Sequence, residues 1–330
     1  MKAIGARSST REQLISEPSR RNRLGALVLL LCLPCSCCQR SVGASEASPV
    51  PAWGASGTLE VASWNVGWFG SGTQGPRDDV AQCNHVASVL RGSNIDVWAL
   101  TEVVDARAFA ELVRELPEYD GLLASDLRVR DGSRFYDSGE QKPAVVFRRG
   151  YVKLSAAELI LTEADSKFAG RPPLRVSLRV GEEPLELIVL HAKAYADAQS
   201  HARRTAASGA LQGYLDEILP SAKVLVAGDF NDDIFESISR GRPSPYANFV
   251  GAGEKYRFLT AELSSRGLTS TVDHGAMIDH HLASNELEAL FIAGSTQVLS
   301  VDRYISNYAE TTSDHYPVAS RFKWPLPSSP

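Results

Sequence analysis

Two features are scarce in this sequence: cysteine outside the N-terminal region and an excess of positive charge. Of the 5 cysteines, Cys32, Cys35, Cys37 and Cys38 lie in one N-terminal apolar segment, which leaves only Cys83 for the rest of the chain. A single cysteine excludes a disulfide within that remainder. With 34 Lys and Arg against 39 Asp and Glu, the formal net charge is -5, so the overall field does not attract a polyanion. Binding of nucleic acid would need a local basic patch or bound cations.

Motifs for zinc and for repeated domains are also absent. The chain contains no HExxH sequence and no pair of CxxC motifs, so the common zinc sites are not indicated. No internal repeat or low-complexity block occurs between Thr58 and Trp324. A chain of 330 residues with 44% hydrophobic content has enough apolar side chains for one sizeable core. We therefore expect one catalytic domain over residues 58–324, with a short tail at 325–330.

The first residues have the pattern of an export signal. Arg20, Arg21 and Arg23 precede the apolar run LGALVLLLCLPC, which is too short to span a bilayer comfortably but suits the apolar centre of a signal peptide. We expect residues 1–44 to be a signal peptide or lipoprotein signal and residues 45–57 to be a linker. The expected location is outside the cytoplasm, periplasmic or secreted, with a lipid anchor on the cysteine cluster as the alternative.

Short apolar, β-branched runs recur along the remaining chain and predict strands. They are LEVASWN, IDVWALTE, PAVVFRR, LRVSLRV, LELIVLH, KVLVAGD, HHLAS, ALFIAG and HYPVASRF. Apolar residues at helical spacing predict helices around Val80–Leu90, Phe109–Leu116 and Ala198–Leu219. Many strands and few helices favour two packed sheets that are covered by helices.

Polar residues follow several of these predicted strands at their C-terminal ends. They are Asn65, Glu102, His191, Asp229 and Asn231. If the strands are neighbours, their ends share one rim, where a rigid scaffold can hold catalytic side chains. A carboxylate such as Glu102 beside an apolar strand must be solvated or paired, and a hard cation such as Mg²⁺ would pair it. The alternative for Glu102 alone is a solvated strand end.

The segment VAGDFNDD places a carboxylate and an amide two residues apart. In an extended segment Asp229 and Asn231 face the same side, where they can take a proton from water and hold that water in line with phosphorus. The alternative is an Asx-rich turn that closes a strand. We interpret Asp232 and Asp233 as capping or solvated residues.

Histidine and aspartate stand side by side in two further segments. TSDHYPV contains Asp314 and His315, and MIDHHLAS contains Asp279 followed by His280 and His281, of which at most one is expected to line the site. A carboxylate beside a histidine fixes its tautomer and lets it carry positive charge towards a pentavalent phosphorane. Either pair in isolation is more typical of a surface hydrogen bond.

Basic residues after the predicted strand LELIVLH are candidates for phosphate contact. His191 and Lys193 lie two residues apart on one face, and we expect His191 to contact phosphate with Lys193 assisting. Arg203 and Arg204 follow in a predicted helix. For these two arginines a solvated helix face is the favoured interpretation.

Taken in order, the motifs WN, TEV, LH, GDFN, IDH and SDHYPV resemble those of the endonuclease/exonuclease/phosphatase superfamily. GDFN, LH and SDHYPV are most similar to the deoxyribonuclease I branch. Each motif is short, but their number and order over Leu59–Phe322 make the resemblance specific. It implies an α/β fold, a four-layered α/β sandwich in which two packed, mostly antiparallel sheets are flanked by helices, with the site at one edge of both sheets.

The resemblance also implies how a metal would be held. Glu102 would be the principal Mg²⁺ ligand, supported by Asn65, with Asp314 as a candidate second ligand or partner. Mn²⁺ is a candidate substitute ion.

The same resemblance assigns the chemistry to five further residues. Asp229 and Asn231 would orient and activate the attacking water. His191 and His315 would stabilise the phosphorane and assist proton transfer, and Asp279 would pair with His315.

The expected function is an exported Mg²⁺-dependent phosphodiester hydrolase, in particular a DNA or RNA endonuclease that acts as a monomer. Arg134 and Lys142, with Arg128 and Arg130 nearby, would contact nucleic acid alongside Lys193, and solvated loop charge explains this cluster equally well. The alternative is a phosphodiesterase or phosphatase that acts on lipid head groups or small phosphoesters, similar to bacterial sphingomyelinases. A non-catalytic binding protein is the third hypothesis, and the full set of site residues argues against it.

Overall fold

The computed structural model of the chain describes residues 48–324. The expected signal segment 1–44 and the tail 325–330 lie outside the described residues. Within the described range, no helix combines the length and the apolar character that are needed to cross a membrane.

The first sheet contains six strands in the spatial order β11-β12-β1-β2-β4-β3. Its strands are β1 (Leu59–Phe69), β2 (Val97–Val103), β3 (Tyr119–Leu123), β4 (Lys142–Arg148), β11 (Gln297–Val298) and β12 (Val318–Phe322). Only β1 and β2 run parallel, and the other neighbouring pairs are antiparallel.

The second sheet also contains six strands, in the order β5-β6-β7-β8-β10-β9. Its strands are β5 (Val152–Leu159), β6 (Leu174–Val180), β7 (Glu183–His191), β8 (Val224–Asp229), β9 (Tyr256–Phe258) and β10 (Asp279–Ser284). Here only β7 and β8 run parallel. Each sheet therefore has one parallel pair near its centre and is otherwise antiparallel, which confirms the predicted fold class.

The helices connect these strands and cover their outer faces. They are α1 (Asp79–Ser93), α2 (Ala106–Arg114), α3 (Gly132–Phe135), α4 (Ala198–Ile218), α5 (Ala247–Gly251), α6 (Ala261–Ser265), α7 (Asn285–Glu288) and α8 (Tyr308–Thr311), with 3-10 turns at Thr162–Phe168 and Val301–Tyr304. The three longest begin at Asp78, Asp105 and Asp197, whose side chains accept hydrogen bonds from main-chain N–H groups of the first helical turn. These three helices were predicted from apolar spacing.

The inner faces of the two sheets form the main core. Val97 and Val145 of the first sheet belong to the same buried cluster as Leu187 and Leu225 of the second. Burial of such side chains is the main favourable term in folding, at about 25 cal/mol per Å² of apolar surface. The facing inner surfaces hold the two sheets together and so bring their rims into register.

The outer faces are equally apolar because helices cover them. Trp64 and Trp98 pack beside Leu90 of α1, and Leu211 of α4 packs beside Ile188 on the opposite side of the molecule. Strands that are buried on both faces read as nearly continuous apolar runs. The result is four layers, helix, sheet, sheet and helix.

One predicted strand is wrong. ALFIAG, residues 289–294, follows α7 as turns, and only Phe291 forms an isolated bridge, with Phe322. Leu290 and Phe291 are partly buried against the main core, so the run is apolar because it packs there. Periodicity cannot distinguish a short apolar loop of this kind from a strand.

The segment Ser48–Gly57 contains no helix or strand and packs on the domain. Val50 is buried, the main-chain N–H of Trp53 donates to Ser93 O at 2.8 Å, and the Trp53 indole donates to Gln297 Oε1 at 3.1 Å. Contacts with the domain therefore begin within the stretch expected to be a linker. The point at which the export signal ends stays a prediction.

Candidate active site

The candidate residues meet where the parallel strands of both sheets end. His191 ends β7 and pairs with Asp229 at the end of β8, and Asp229 pairs with Asp279 at the start of β10. From the first sheet, the Asn65 amide donates to Asp229 Oδ2 at 3.1 Å. Parallel strands align their carboxyl ends, so polar residues far apart in sequence come together at one rim.

The strands of the first sheet are irregular at this rim. Pairing of β1 shifts between Asn65 and Phe69, and pairing of β2 shifts between Leu100 and Val103. Glu102 lies inside the second irregularity with φ 65, a left-handed conformation that is uncommon for a non-glycine residue. Its carboxylate accepts a hydrogen bond from the Trp68 main-chain N–H at 3.0 Å. The bulge thus turns Glu102 towards the site instead of continuing the strand.

Asp229 is a buried carboxylate of this cluster, and it lies beside a main-chain N–H and both histidines. Its Oδ1 accepts the main-chain N–H of Asn231 at 2.8 Å, and its Oδ2 lies 3.6 Å from His191 Nε2 and 4.0 Å from His315 Nε2. Burial, with the charge of Asp279 adding to it, raises the pKa of Asp229 to about 7, although His315 and Asn65 act in the opposite direction. A carboxyl with this pKa can accept a proton near neutral pH.

The two histidines of the site hold different charges. Burial lowers the pKa of His191 well below its usual value, and the nearby Arg171 charge lowers it further, so His191 is neutral. Burial opposes protonation of His315 as well, but the carboxylates of Asp279 and Asp229 raise its pKa well above the usual value. The site therefore contains one neutral and one positively charged imidazole.

His315 is fixed by the second carboxylate of the rim. Its Nδ1 lies 2.8 Å from Asp279 Oδ2, and Ser270 Oγ donates to the same oxygen at 2.7 Å. With Nδ1 occupied in this way, Nε2 is the nitrogen that faces Asp229. The predicted pairing of Asp279 with His315 matches this geometry.

Asn231 occupies the rim through a turn. Its main chain has φ 54, and its Nδ2 donates to Ala192 O at 3.2 Å, which joins the loop after β8 to the loop after β7. The left-handed turn, which an asparagine tolerates better than most residues, keeps Asn231 beside Asp229.

The metal candidates lie at the same rim, where Glu102 is partly exposed and Asn65 is buried. Glu102 Oε1 is 3.6 Å from His191 Nε2, and Asn65 Oδ1 accepts the main-chain N–H of Gly67 at 3.0 Å. Burial raises the pKa of Glu102, whereas the hydrogen bond from Asn65 and the charge of His315 lower it. Asp314 is exposed, and its charge adds to the rise.

The donors at this rim fit a hard divalent cation. Asp229, Asp279 and His315 have ligand atoms within 4.8 Å of one another, and Glu102 lies beside His191. Because His315 is protonated, the carboxylates are the donors available to a cation. Asp279 Oδ1 is buried without a hydrogen-bond partner among residues 48–324. Burial, with neighbouring carboxylates adding to it, raises the pKa values of Asp229 and Glu102, and a bound cation would favour their charged forms. Carboxylate and amide oxygens suit Mg²⁺ or Mn²⁺.

Sequence reasoning missed one cation at the site. Arg171 precedes β6, and its guanidinium donates to Ala192 O at 2.9 Å and to Gln141 Oε1 at 2.5 Å. Its Nε is buried without a partner in the described part of the chain. Burial lowers the pKa of Arg171, and the charges of Glu102 and Asp229 oppose that change. A lone arginine before two prolines carries no sequence pattern that could have identified it.

The predicted basic cluster between Leu127 and Pro143 is largely used within the protein. Arg128 pairs with Asp126 at 2.9 Å, and Arg130 pairs with Glu158. Lys142 is buried, and its ammonium donates to Val104 O at 2.8 Å and to Glu140 O at 3.0 Å.

These contacts argue against the predicted substrate role of Lys142, because its charge is already held by two carbonyl oxygens. Arg134 is exposed and lies 5.5 Å from the centre of the Phe135 ring. Lys193 is half-buried on the loop after β7, beside the catalytic candidates. Among the predicted substrate contacts, Lys193 is the one that the fold places next to His191.

Arg204 is not on a solvated helix face, and Asp232, interpreted as a capping or solvated residue, is not solvated, although its Oδ1 accepts the main-chain N–H of Ile238 at 2.7 Å. Both side chains are 0% exposed and lie 2.8 Å apart. Arg204 also donates to the carbonyls of Lys193 and Tyr195, each at 2.7 Å. A buried charge is tolerated only when it is paired and hydrogen-bonded. Because Arg204 and Asp232 are far apart in the sequence, no local sequence pattern reveals that they pair. Asp233 does form the expected turn, accepting the Phe235 N–H at 2.8 Å.

The two histidines that follow Asp279 serve the core. His280 contacts Thr260 Oγ1 at 2.8 Å and Asp232 O at 3.1 Å. His281 lies between the sheets, with Ser320 Oγ at 2.7 Å and Ser63 Oγ at 3.2 Å. Their ring nitrogens are therefore committed to structural hydrogen bonds.

Three solved structures illustrate the proteins that share this architecture. Zebrafish (D. rerio) TDP2 in complex with a single-strand DNA product is 17% identical, covers 80% of this chain and 98% of its own, and has a TM-score of 0.59. The human Nocturnin catalytic domain with bound sulfate is 16% identical, with 80% and 94% covered and a TM-score of 0.55. The 3' phosphatase NExo from Neisseria, bound to a product DNA hairpin, is 16% identical, with 81% and 100% covered and a TM-score of 0.55.

At sequence identities of 16–17%, the similarity to these structures shows that the chain shares their fold. No curated protein matches the sequence significantly. The sequence model of the endonuclease/exonuclease/phosphatase family matches residues 62–315, which include all of the candidate site. These comparisons do not assign the deoxyribonuclease I branch, which stays a prediction. The chain belongs to the endonuclease/exonuclease/phosphatase family, whose members are divalent-metal-dependent enzymes that hydrolyse phosphoesters.

Proposed function

We propose that this protein is an exported Mg²⁺-dependent phosphodiester hydrolase that cleaves nucleic acid as an endonuclease. The observation that carries the proposal is the position of His191 Nε2, which lies 3.6 Å from both Glu102 Oε1 and Asp229 Oδ2. Glu102 as the metal ligand, Asp229 as the proton acceptor and the neutral imidazole of His191 would therefore surround one point. Export rests on the sequence of residues 1–44.

In this mechanism Asp229 receives the proton of the attacking water. With a pKa of about 7, a large fraction of Asp229 is ionised at neutral pH. The ionised form is also a stronger base than an ordinary carboxylate. Asn231 holds the water beside Asp229, because its main chain is fixed on Asp229 Oδ1 at 2.8 Å. A positioned water loses less freedom on reaching the transition state.

Positive charge and N–H donors stabilise the developing phosphorane. His315 carries a proton because Asp279 and Asp229 favour its charged form, and its Nε2 faces the centre of the site. His191 contributes a second imidazole, and Arg171 supplies a permanent charge close to Glu102 and Asp229. Pre-organised donors of this kind act strongly in a site that excludes water. Mg²⁺ held by Glu102 and Asn65 would neutralise charge on the phosphate oxygens.

The choice of a nucleic-acid substrate rests on local charge. Burial lowers the pKa of Lys193, the positive charges of Arg171, Arg203 and Arg204 add to this effect, and the charge of Asp197 opposes it. Lys193 and Arg171 would thus give this part of the rim local positive charge although the whole chain carries a net charge of -5. Such charge attracts a polyanion to the rim.

The first test measures hydrolysis by the full chain with Mg²⁺ and with EDTA. Substrates are supercoiled DNA, RNA, sphingomyelin and a small phosphodiester, and Glu102→Ala is the control for a contaminating nuclease. We expect Mg²⁺-dependent cleavage of DNA or RNA that disappears with EDTA and in the Glu102→Ala variant. Cleavage of nucleic acid at an equal rate by that variant would contradict the proposal.

A small-phosphoester or lipid phosphodiesterase is the second candidate. It is favoured by the loss of Arg128, Arg130 and Lys142 as substrate contacts, because these charges are held by Asp126, Glu158 and main-chain carbonyls. Fewer basic contacts suit a shorter anion. Activity on sphingomyelin or the small diester, without activity on DNA or RNA, would select this candidate and leave the assignment of the site intact.

A further inference from the structure

An exposed aromatic residue stands on the loop that follows β7. Tyr195 is 72% exposed, four residues after His191. Its main chain has φ 80, which bulky residues adopt only when the surrounding structure holds them there. A backbone conformation of this kind costs free energy, so the neighbouring structure must hold Tyr195 in place.

A buried ion pair holds the main chain of this loop. Arg204 Nη1 donates to Lys193 O and Tyr195 O, each at 2.7 Å, while its Nε donates to Asp232 Oδ2 at 2.9 Å. Ser237 Oγ donates to the same carboxylate at 2.9 Å. These bonds fix the carbonyls on both sides of Ala194. The position of the tyrosine is therefore set by the interior of the protein and not by the loop alone.

The ring lies beside groups that suit a phosphate chain. Lys193 Nζ is 4.2 Å from the centre of the Tyr195 ring, a cation–π contact. Arg171 donates to Ala192 O at 2.9 Å, between Lys193 and the end of β7. Along the chain, His191 at the end of β7 is thus followed by Ala192, whose carbonyl Arg171 contacts, then by Lys193 and then by the tyrosine whose ring Lys193 contacts. Successive phosphates and bases of a single strand present the same alternation of charge and flat apolar surface.

We propose that Tyr195, flanked by Lys193, is a stacking subsite for an unpaired base next to the phosphate that is hydrolysed. This inference rests on the proposed nucleic-acid function, and it requires the bound strand to be unpaired. Bases in a duplex are stacked on each other, so an exposed ring engages a single strand or a frayed end. The subsite predicts a preference for single-stranded over fully paired substrate.

The test measures binding separately from hydrolysis. The full chain with Asp229→Asn is titrated into a labelled single-stranded oligonucleotide and into an abasic strand of equal length, with Mg²⁺ present. Adding Tyr195→Ala should weaken binding of the base-bearing strand by about 5- to 150-fold, the range for loss of one base–aromatic stack. Binding of the abasic strand should stay unchanged. Tyr195→Phe should keep the preference for bases, since a phenyl ring still stacks.

A matched control and a separate activity assay make the outcomes distinct. Tyr304, which is 43% exposed on the Val301–Tyr304 turn, provides Tyr304→Ala as a control that should not change binding. Equal weakening of both strands by Tyr195→Ala, no weakening, or a preference for duplex would overturn the subsite. Binding without hydrolysis by the unaltered chain would refute the nuclease function and leave the subsite supported. Hydrolysis that is indifferent to Tyr195, with unchanged binding, would refute the subsite alone.

Discussion

In each sheet a helix residue holds the backbone that follows a site residue, but with different chemistry. In the first sheet, Gln82 of α1 donates to Val66 O and Gly67 O, each at 2.8 Å, in the irregular end of β1 just after Asn65. In the second sheet, Arg204 of α4 donates to the carbonyls of Lys193 and Tyr195 in the loop just after His191. A neutral amide therefore fixes the end of β1, and a buried guanidinium fixes the loop after β7.

This difference matters for how each half responds to change. A neutral amide can be removed at the cost of its hydrogen bonds, whereas removing Arg204 also leaves Asp232 as an unpaired buried charge. The first sheet supplies the metal candidates Glu102 and Asn65, and the second supplies the proton acceptor Asp229. In the proposed mechanism, the first sheet therefore supplies the principal metal ligands and the second supplies the group that accepts the proton.

The largest expected effect comes from the proton-accepting half. Asp229→Asn keeps the shape of the side chain but removes the base, so kcat should fall by about 10²- to 10⁴-fold. Metal affinity, measured by calorimetry with Mn²⁺, should change much less if Glu102 is the principal ligand. Asp233→Asn, in the neighbouring turn, is the matched control and should retain activity. Loss of metal binding equal to the loss of kcat would show that the two halves are not separate.

The next prediction compares the two anchors directly. Arg204→Met should lower the free energy of unfolding by about 3–5 kcal/mol, because Asp232 stays buried without its partner. Gln82→Leu should cost about 1–3 kcal/mol, as expected for hydrogen bonds without charge. Urea denaturation measures both, and Arg203→Ala beside the pair should have little effect. Equal losses for Arg204→Met and Gln82→Leu would remove the distinction between charged and neutral anchors.

A smaller effect is expected from the metal-binding half. Glu102→Gln should weaken Mg²⁺ binding by at least about 10- to 100-fold. That is the loss in metal affinity typical of removing a residue that only orients a metal ligand, and Glu102 is expected to be a ligand itself. Activity should recover in part when the Mg²⁺ concentration is raised, which distinguishes a binding defect from loss of the base. Failure of excess Mg²⁺ to restore any activity would place Glu102 in the chemical step itself.

The pH dependence tests the proton-accepting role in the unaltered protein. Because only ionised Asp229 can take the proton and its pKa is raised to about 7, kcat/KM should fall as the pH drops through 7, by about tenfold per unit. A bound cation favours the ionised form, so more Mg²⁺ should move the midpoint to lower pH. A midpoint that does not move with Mg²⁺ would argue that the ion binds away from Asp229.

The smallest effect compares one basic residue from each half. Lys142→Met should leave hydrolysis of nucleic acid unchanged, since its ammonium is bonded to Val104 O and Glu140 O. Lys193→Met should weaken binding and reduce the slope of log Kd against log salt by about 1, as for one lost phosphate contact. Similar salt slopes for both variants would contradict the assignment of Lys193 to the substrate.

Most of the site was predictable because its residues are polar groups that directly follow apolar runs in the sequence. Asn65, Glu102, His191 and Asp229 stand out as polar groups where the pattern favours burial, and a resemblance of ordered motifs joined them to Asp279 and His315. Arg171 was not predictable, because a single arginine before Pro172 is typical of any loop. Lys142 was misassigned for a related reason. The sequence shows that the residue is charged, but it does not show that main-chain carbonyl oxygens already accept hydrogen bonds from its ammonium group.

The sequence by itself determined the period of the strands, the order of the motifs and the residue types at the strand ends, because these depend on local pattern. Tertiary structure decided which charges pair. Arg204 and Asp232 are 28 residues apart and form a fully buried pair, and Tyr195 is displayed because of it. The charge states of His191 and His315 were likewise decided by burial and by carboxylates from other strands. Burial and long-range pairing are properties of the folded chain, so no local pattern records them.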